Sequence, residues 1–424
     1  MTPGWSDADR IRADVRPPEF PAVDFPITSY GATPGNATAG IAAAVAACSE
    51  SGGGRVVVPP GVWYTKAIRL RSQVELHISE GATLRFSTDP ADYLPVVETR
   101  YEGLEVLNHS PMIYANGCTD IAITGTGTLD GQASSDNWWS WFHECDEEFK
   151  RLREQSWFGI PLQDRAVGHR LRSSFVQPFN CTNVLIEGVT VVRSPFWQLH
   201  PVLCRNVTIR DVVIDSQGPN NDGIDLESCR SVVISGCTID AGDDCIALKS
   251  GREADGLRVN VPTEDILIED CTLRVKYGAI TLGSDLTGGI RNVYVRDCRI
   301  DGPYFALYIK TNAVRGGFVE NVYLRDLTVA KVLKEVVQCN FHRGEGEAGP
   351  LIPSVRNVEL RGVKVEQARN ALLFRGYRHA RIEDVRLVDC DFTVDQPSTV
   401  QHTVLGFDNV TVNGRPIKDV HQIR

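Results

Sequence analysis

Two short segments hold the densest acidic chemistry of the chain, NNDGIDLESC at 220–229 and GDDCIALKSG at 242–251, which contribute Asp222, Asp243 and Asp244. Each alternates apolar and other residues and so reads as a strand. Aligned as DGIDLES and DCIALKS, they put Asp222 and Asp244 at one position of successive strands, with Asp243 adjoining. Stacked strands lie about 4.8 Å apart. Carboxylates crowded at that spacing repel, so at least one keeps its proton near neutrality. One protonated and one ionised carboxylate can hydrolyse a glycosidic bond. Asp-rich turns also cap strands or hold calcium, so the aspartates need a context.

That context comes from four more segments aligned on the same frame: PFWQLHP (195–201), GAITLGS (278–284), FALYIKT (305–311) and NALLFRG (370–376). Their third and fifth residues are apolar and face inward, so the fourth and sixth project outward. His200, Glu227, Lys249, Lys310 and Arg375 then share the sixth position, and Tyr308 stands at the fourth. The result is a polar stripe beside the aspartates, as a groove requires. Cysteines are not spaced as CxxC pairs, so no metal centre is expected, and no motif calls for a cofactor.

A repeated pattern positions these strands. VLIEGVTV begins at Val184, and related octapeptides begin at Val207, Val232, Ile266, Val293, Val322, Val358 and Val385, spaced 23 to 36 residues apart. Apolar residues alternate around a small residue or turn in each copy, a strand period. The spacing suits coils of three short strands, each burying its apolar face against the next. The chain is thus predicted to be all-β, a right-handed parallel β-helix. Cys118, Cys181, Cys204 and Cys229 form one column ahead of the repeats, and Cys237, Cys271, Cys298 and Cys390 form another within them, as buried reduced thiols would. Asn183, Asn206, Asn292, Asn321 and Asn357 form a third column, expected to stack its amides. An amphipathic helix at 40–50 caps the solenoid. Residues 1–25 read as an N-terminal extension and 26–424 as one β-helix domain, interrupted at about 132–172 by an insertion rich in tryptophan.

The formal charge of −10 excludes a general affinity for nucleic acid. No run of eighteen apolar residues predicts a membrane span. The N-terminus, MTPGWSDADRIRADVR, lacks a basic stretch followed by an apolar one, which predicts a cytoplasmic chain.

The two acidic segments resemble the Asn-Thr-Asp and Asp-Asp motifs of the polygalacturonase-type glycoside hydrolases, family 28, and in particular its bacterial exo-acting members. The resemblance runs from about Pro26 to Phe407. It implies that Asp243 protonates the departing oxygen, that Asp222 and Asp244 activate water, that the reaction inverts, and that the substrate is a pectin-derived oligosaccharide. Asn220 opens the first motif. Lys310 matches a lysine that contacts a substrate carboxylate, and SPFWQLHPVLC, with Trp197 and His200, is similar to the exo-acting members. Where the family has Gly-His-Gly this chain has Lys276-Tyr277-Gly278, and where it has Arg-Ile-Lys it has Tyr308-Ile309-Lys310. Tyrosine cannot share a proton near neutrality as histidine does, nor grip a carboxylate with a fork as arginine does. These departures predict a short substrate with at most one uronate near the cleavage point, and weak activity on homopolygalacturonan. A glycosidase for a rhamnogalacturonan-type or neutral sugar, a β-helix lyase and a non-catalytic carbohydrate-binding solenoid are the alternatives.

Overall fold

The computed structural model describes residues 4–165 and 170–423. All eight octapeptides stack in parallel within one 13-stranded sheet, and their starts are in register: Val184 pairs with Val207, followed one per coil by Val232, Ile266, Val293, Val322, Val358 and Val385. Val232 and Ile234 are fully buried between exposed Arg230 and half-buried Ser235, as the alternation requires. Each buried Val or Ile contributes about 1.5–3 kcal/mol.

The small residue inside the repeat is a corner. Gly188, Asp211, Gly236, Asp270, Asp297, Asp326, Gly362 and Asp389 occupy it in turn, all with positive φ. Glycine reaches this region freely and aspartate tolerates it, while β-branched residues do not. Past the corner the chain enters a second parallel face, through Val213–Ser216, Thr238–Ala241, Thr272–Val275 and Arg299–Asp301. A third face carries Ile224–Glu227, Ile246–Lys249, Gly278–Gly283 and Phe305–Lys310, also parallel and in register. The architecture is the right-handed parallel β-helix expected.

The asparagine column forms two relays. Asn206 donates to Asn183 Oδ1 at 2.7 Å and Asn183 to Asp120 at 2.7 Å; Asn357 donates to Asn321 at 2.7 Å, Asn321 to Asn292 at 3.0 Å and Asn292 to Asp265 at 2.9 Å. Each of these residues has positive φ, so the column serves as a second corner. Every cysteine is buried and free.

Two alignments need correction. Segment 195–201 joins the third face two residues out of the expected frame: Leu199 pairs with Ile224 and Val202 with Glu227, so His200 stands beside Asp225. A shift of two preserves facing, so His200 still points outward from the coil. One coil was also missed. Residues 335–340, the end of a 13-residue strand Thr328–Asn340, lie between Phe305–Lys310 and Lys364–Arg375, so Arg375 stands two coils beyond Lys310.

The cap is a helix at Thr38–Glu50 whose Ile41, Ala44, Val45 and Cys48 close the end of the core. Residues 1–25 are more than a tail. Helix Trp5–Asp14 lays Ala8 and Ile11 on Val233, Leu267, Tyr294 and Tyr323, outward-facing residues of the large sheet. Within the insertion, Trp138 and Trp141 join the main core and Trp139 donates to Ser194 O at 2.9 Å, so these tryptophans anchor it.

Candidate active site

Asp222, Asp243 and Asp244 converge as the register demands, with one carboxylate oxygen from each within 4.8 Å of the others. Asp244 is buried, and both its oxygens are engaged: the Gly278 amide donates to Oδ1 at 2.8 Å and Lys310 Nζ to Oδ2 at 2.5 Å. An oxygen trio of this kind can hold a cation, but donors already seated on both oxygens of Asp244 make a poor cage. Burial and the charge of Asp244 push Asp243 up to about 6. Burial, with the charges of Asp225 and Asp243, holds Asp222 well above the ordinary carboxyl range.

A fourth carboxylate belongs to the group. Asp225 is fully buried, faces Lys249 Nζ at 3.4 Å, and is likewise held well above its ordinary range by burial. The frame that found the others places it at the outward fourth position of DGIDLES, the signal by which it could have been recognised. Four carboxyls thus face two ammonium groups. Burial would depress Lys249, yet Asp225, Asp222, Asp285 and Asp244 more than reverse it. Lys310 is likewise held above its usual value, because Asp244 and Asp243 outweigh burial.

The polar stripe is only partly an open groove. His200 is fully buried; Gln177 donates to its Nδ1 at 2.8 Å, and its Nε2 donates to Glu227 at 3.0 Å. Burial lowers its pKa, so it is neutral. Burial would raise Glu227, but Arg100 at 2.7 Å and the His200 bond overcome it and leave the group at about 2. His200 is therefore a framework residue, correcting its expected contact with substrate. Trp197 is buried too, stacked on Phe196, with Lys249 Nζ 4.4 Å from its ring centre. Lys249, buried and paired with Asp225, joins this framework. Asn220 is half-buried, and its Oδ1 accepts from Arg172 at 2.7 Å. Tyr277 is exposed and Tyr308 buried at the groove floor, with Lys310 Nζ 4.7 Å from the Tyr308 ring centre. Arg375 bonds Gln401 at 3.2 Å, away from the aspartates.

What covers His200 and Glu227 is a hairpin, Val97–Tyr101 paired antiparallel with Leu104–Asn108 and turned at Glu102-Gly103, both with positive φ. The sequence VETRY-EG-LEVLN carries a hairpin signature that could have disclosed it and Arg100. Tyr101 stacks on Phe196, and insertion helix Asp146–Trp157 packs Phe149 and Leu152 against the same cluster. Buried pairs tie this wall down: Arg165 grips Asp255 with two bonds of 2.5 and 2.7 Å, and Arg252 bonds Glu102 at 2.7 Å. The wall stands beside the aspartates: it packs on Phe196 and Trp197, and its Gly103 turn reaches Arg252 in the coil of Asp244 and Asp285 in the next. Beyond Asp243 the following coils carry Tyr277, Tyr304 and Lys334 in register with it.

A parallel β-helix with a carboxylate cluster on an outward face, walled on one side, defines a carbohydrate-active enzyme. Residues 48–405 match the glycosyl hydrolases family 28, and the chain belongs to that family. It is similar to the hyperthermoactive exopolygalacturonase of Thermotoga maritima, with 38% identity, a TM-score of 0.92, and coverage of 97% of this chain and 96% of that one. A probable polygalacturonase of Vitis vinifera is 31% identical over 66% of this chain and 54% of its own, so the chain spans little more than half of that relative. The endo-polygalacturonase of Pectobacterium carotovorum subsp. carotovorum is 24% identical over 95% of each chain.

Proposed function

We propose that the chain is an exo-acting hydrolase that removes a terminal galacturonate from pectic oligosaccharides with inversion. The observation that carries this reading is the wall built by the hairpin and the insertion helix beside the aspartates, packed on Phe196 and Trp197 and tied to Arg252 and Asp255. The likeness to an exopolygalacturonase supports the same sugar class, in place of the expected substrate with at most one uronate and weak activity on homopolygalacturonan. Asp243, at about 6, is a competent general acid near neutrality. Asp222 and Asp244 lie in successive coils, their nearest oxygens no more than 4.8 Å apart. Two hydrogen bonds of about 2.8 Å span up to about 5.6 Å, so one water fits between them. The acid also lies within that 4.8 Å, closer than the wide separation expected of an inverting pair, so inversion rests on the seat for water rather than on spacing.

Asp222 lies one coil before Asp243 and Asp244, and the column from Asp243 runs on through Tyr277 to Tyr304. In attack from the non-reducing end, the wall encloses the terminal sugar, water takes its anomeric carbon and the rest of the chain departs along that column. A lyase needs a lysine or arginine base, and the two lysines beside the aspartates, Lys249 and Lys310, are both paired with them. The twelve free buried thiols fit a chain that works in a reducing compartment, consistent with the cytoplasmic expectation.

Digestion of polygalacturonate tests the reading: viscosity should fall slowly relative to new reducing ends, and proton NMR should find the first anomer inverted. A collapse of viscosity at low conversion would show endo attack. A retained anomer would require a covalent intermediate on one of the aspartates.

A further inference from the structure

If the substrate is a galacturonide, as proposed above, its carboxylates need cations, and the groove's expected cations are already engaged. Lys249 pairs with Asp225 at 3.4 Å, Lys310 holds Asp244 at 2.5 Å, and Arg375 bonds Gln401 at 3.2 Å two coils away. Tyrosine occupies position 308, so that strand supplies no fork. One guanidinium nearby is different. Arg343 is half-buried, its Cζ stands 5.7 Å from the centre of the Tyr308 ring, and among the described residues its side chain makes no ion pair. Lys310 Nζ, which holds Asp244, is 4.7 Å from the centre of the same buried ring, so Tyr308 links Arg343 to the catalytic cluster.

Arg343 belongs to the loop after the missed coil, and a buried frame holds that loop. Asn312 donates to Arg343 O at 3.2 Å and to Glu345 at 3.0 Å, while its own Oδ1 accepts from the amides of Val314 and Arg315 at 3.0 Å. The Tyr377 hydroxyl lies 2.7 Å from the carbonyls of both Phe341 and Gly346. The guanidinium is thus presented by a fixed backbone. Tyr308 stands two coils beyond Asp244. The coil repeat of about 4.8 Å is close to the length of one sugar residue, so a sugar on the leaving side of the scissile bond would rest there.

We infer that Arg343 grips the carboxylate of a uronate on the leaving side and sets the preference for a free acid at that position. A guanidinium pairs with a carboxylate through two parallel bonds. Lys310 is left free to hold Asp244.

Steady-state kinetics on trigalacturonate and its methyl ester test this with wild type, Arg343→Gln and Arg343→Lys, each checked for folding by thermal melt. Arg343→Gln should raise KM for the free acid about 10- to 100-fold, the loss expected for a charge-assisted bond. KM for the ester should barely move, so the preference for acid collapses. Arg343→Lys should recover part of it. An Arg343→Gln enzyme that still prefers the acid as strongly as wild type would overturn the assignment, and so would a wild type indifferent to esterification. Should Arg343→Gln not fold, a preference for acid lost in Arg343→Lys would support the assignment and a full preference would overturn it. A wild type that cleaves neither compound would overturn the galacturonide reading itself, and Arg343's role with it.

Discussion

Asp243 combines an outward position, partial exposure and a pKa near 6, and each property can be tested by one substitution. Asp243→Asn should lower kcat about 10²- to 10⁴-fold, the usual contribution of a positioned acid. In wild type, kcat should fall as pH rises through about 6, where the acid loses its proton. The same shift bears on stability. The folded protein holds the Asp243 proton up to about 6, while the unfolded chain releases it near 3.8. Stability is therefore fully present below 3.8 and declines as pH rises to about 6. Asn carries no charge, so the variant should melt roughly 1–3 °C above wild type at pH 7 and no higher at pH 3. Equal melting temperatures at both values would mean that Asp243 is not held protonated. Asp222, Asp243 and Asp244 were legible in the sequence because one period places them together. The fates of His200 and Lys249 were not, since facing says nothing of what later covers a side chain, and their cover comes from a hairpin about a hundred residues upstream.

Strand register aims these groups, and Gly278 shows how tightly. It occupies the position of Asp244 one coil on and donates its amide to Asp244 Oδ1. A Cβ there would meet Thr281 Oγ1 at 2.1 Å and Asp244 Oδ1 at 2.8 Å. Gly278→Ala should thus displace Asp244 and reduce kcat about 10²-fold or more, the effect of misplacing a reacting group, while the melting temperature changes little. Unaltered kcat would show that the Asp244 bond is not needed. At this scale the octapeptides were readable because every copy repeats both its apolar alternation and its Gly or Asp corner. The coil at 335–340 escaped although Val337 and Cys339 fill its inward positions; two faces merge there into the single strand Thr328–Asn340, as they do again in Lys364–Arg375. Segment 195–201 was misaligned by two residues because a two-residue slip conserves the facing of every side chain.

For the whole molecule, stacking makes one continuous core from the cap at Thr38–Glu50 to the C-terminal strands, with its free thiols inside. A thiol reagent should find close to twelve groups in denaturant and almost none in the native protein. Several missing thiols in denaturant would mean disulfides and a different packing of the columns. The solenoid was legible from its period, but helix Trp5–Asp14 on the large sheet was not, because its partners Tyr294 and Tyr323 are outward residues that the strand pattern alone leaves to solvent. The wall's hairpin could have been read from its Glu102-Gly103 turn, but what it covers could not, and the wall carries the claim of exo action. The most direct test of that claim is mass spectrometry of the products formed from reducing-end-labelled tetragalacturonate in heavy-oxygen water. The account predicts, from the first turnovers, free galacturonate carrying one heavy oxygen at its new reducing end and a labelled chain shorter by one unit. Labelled fragments of every length at the outset, or an unsaturated product without heavy oxygen, would contradict it.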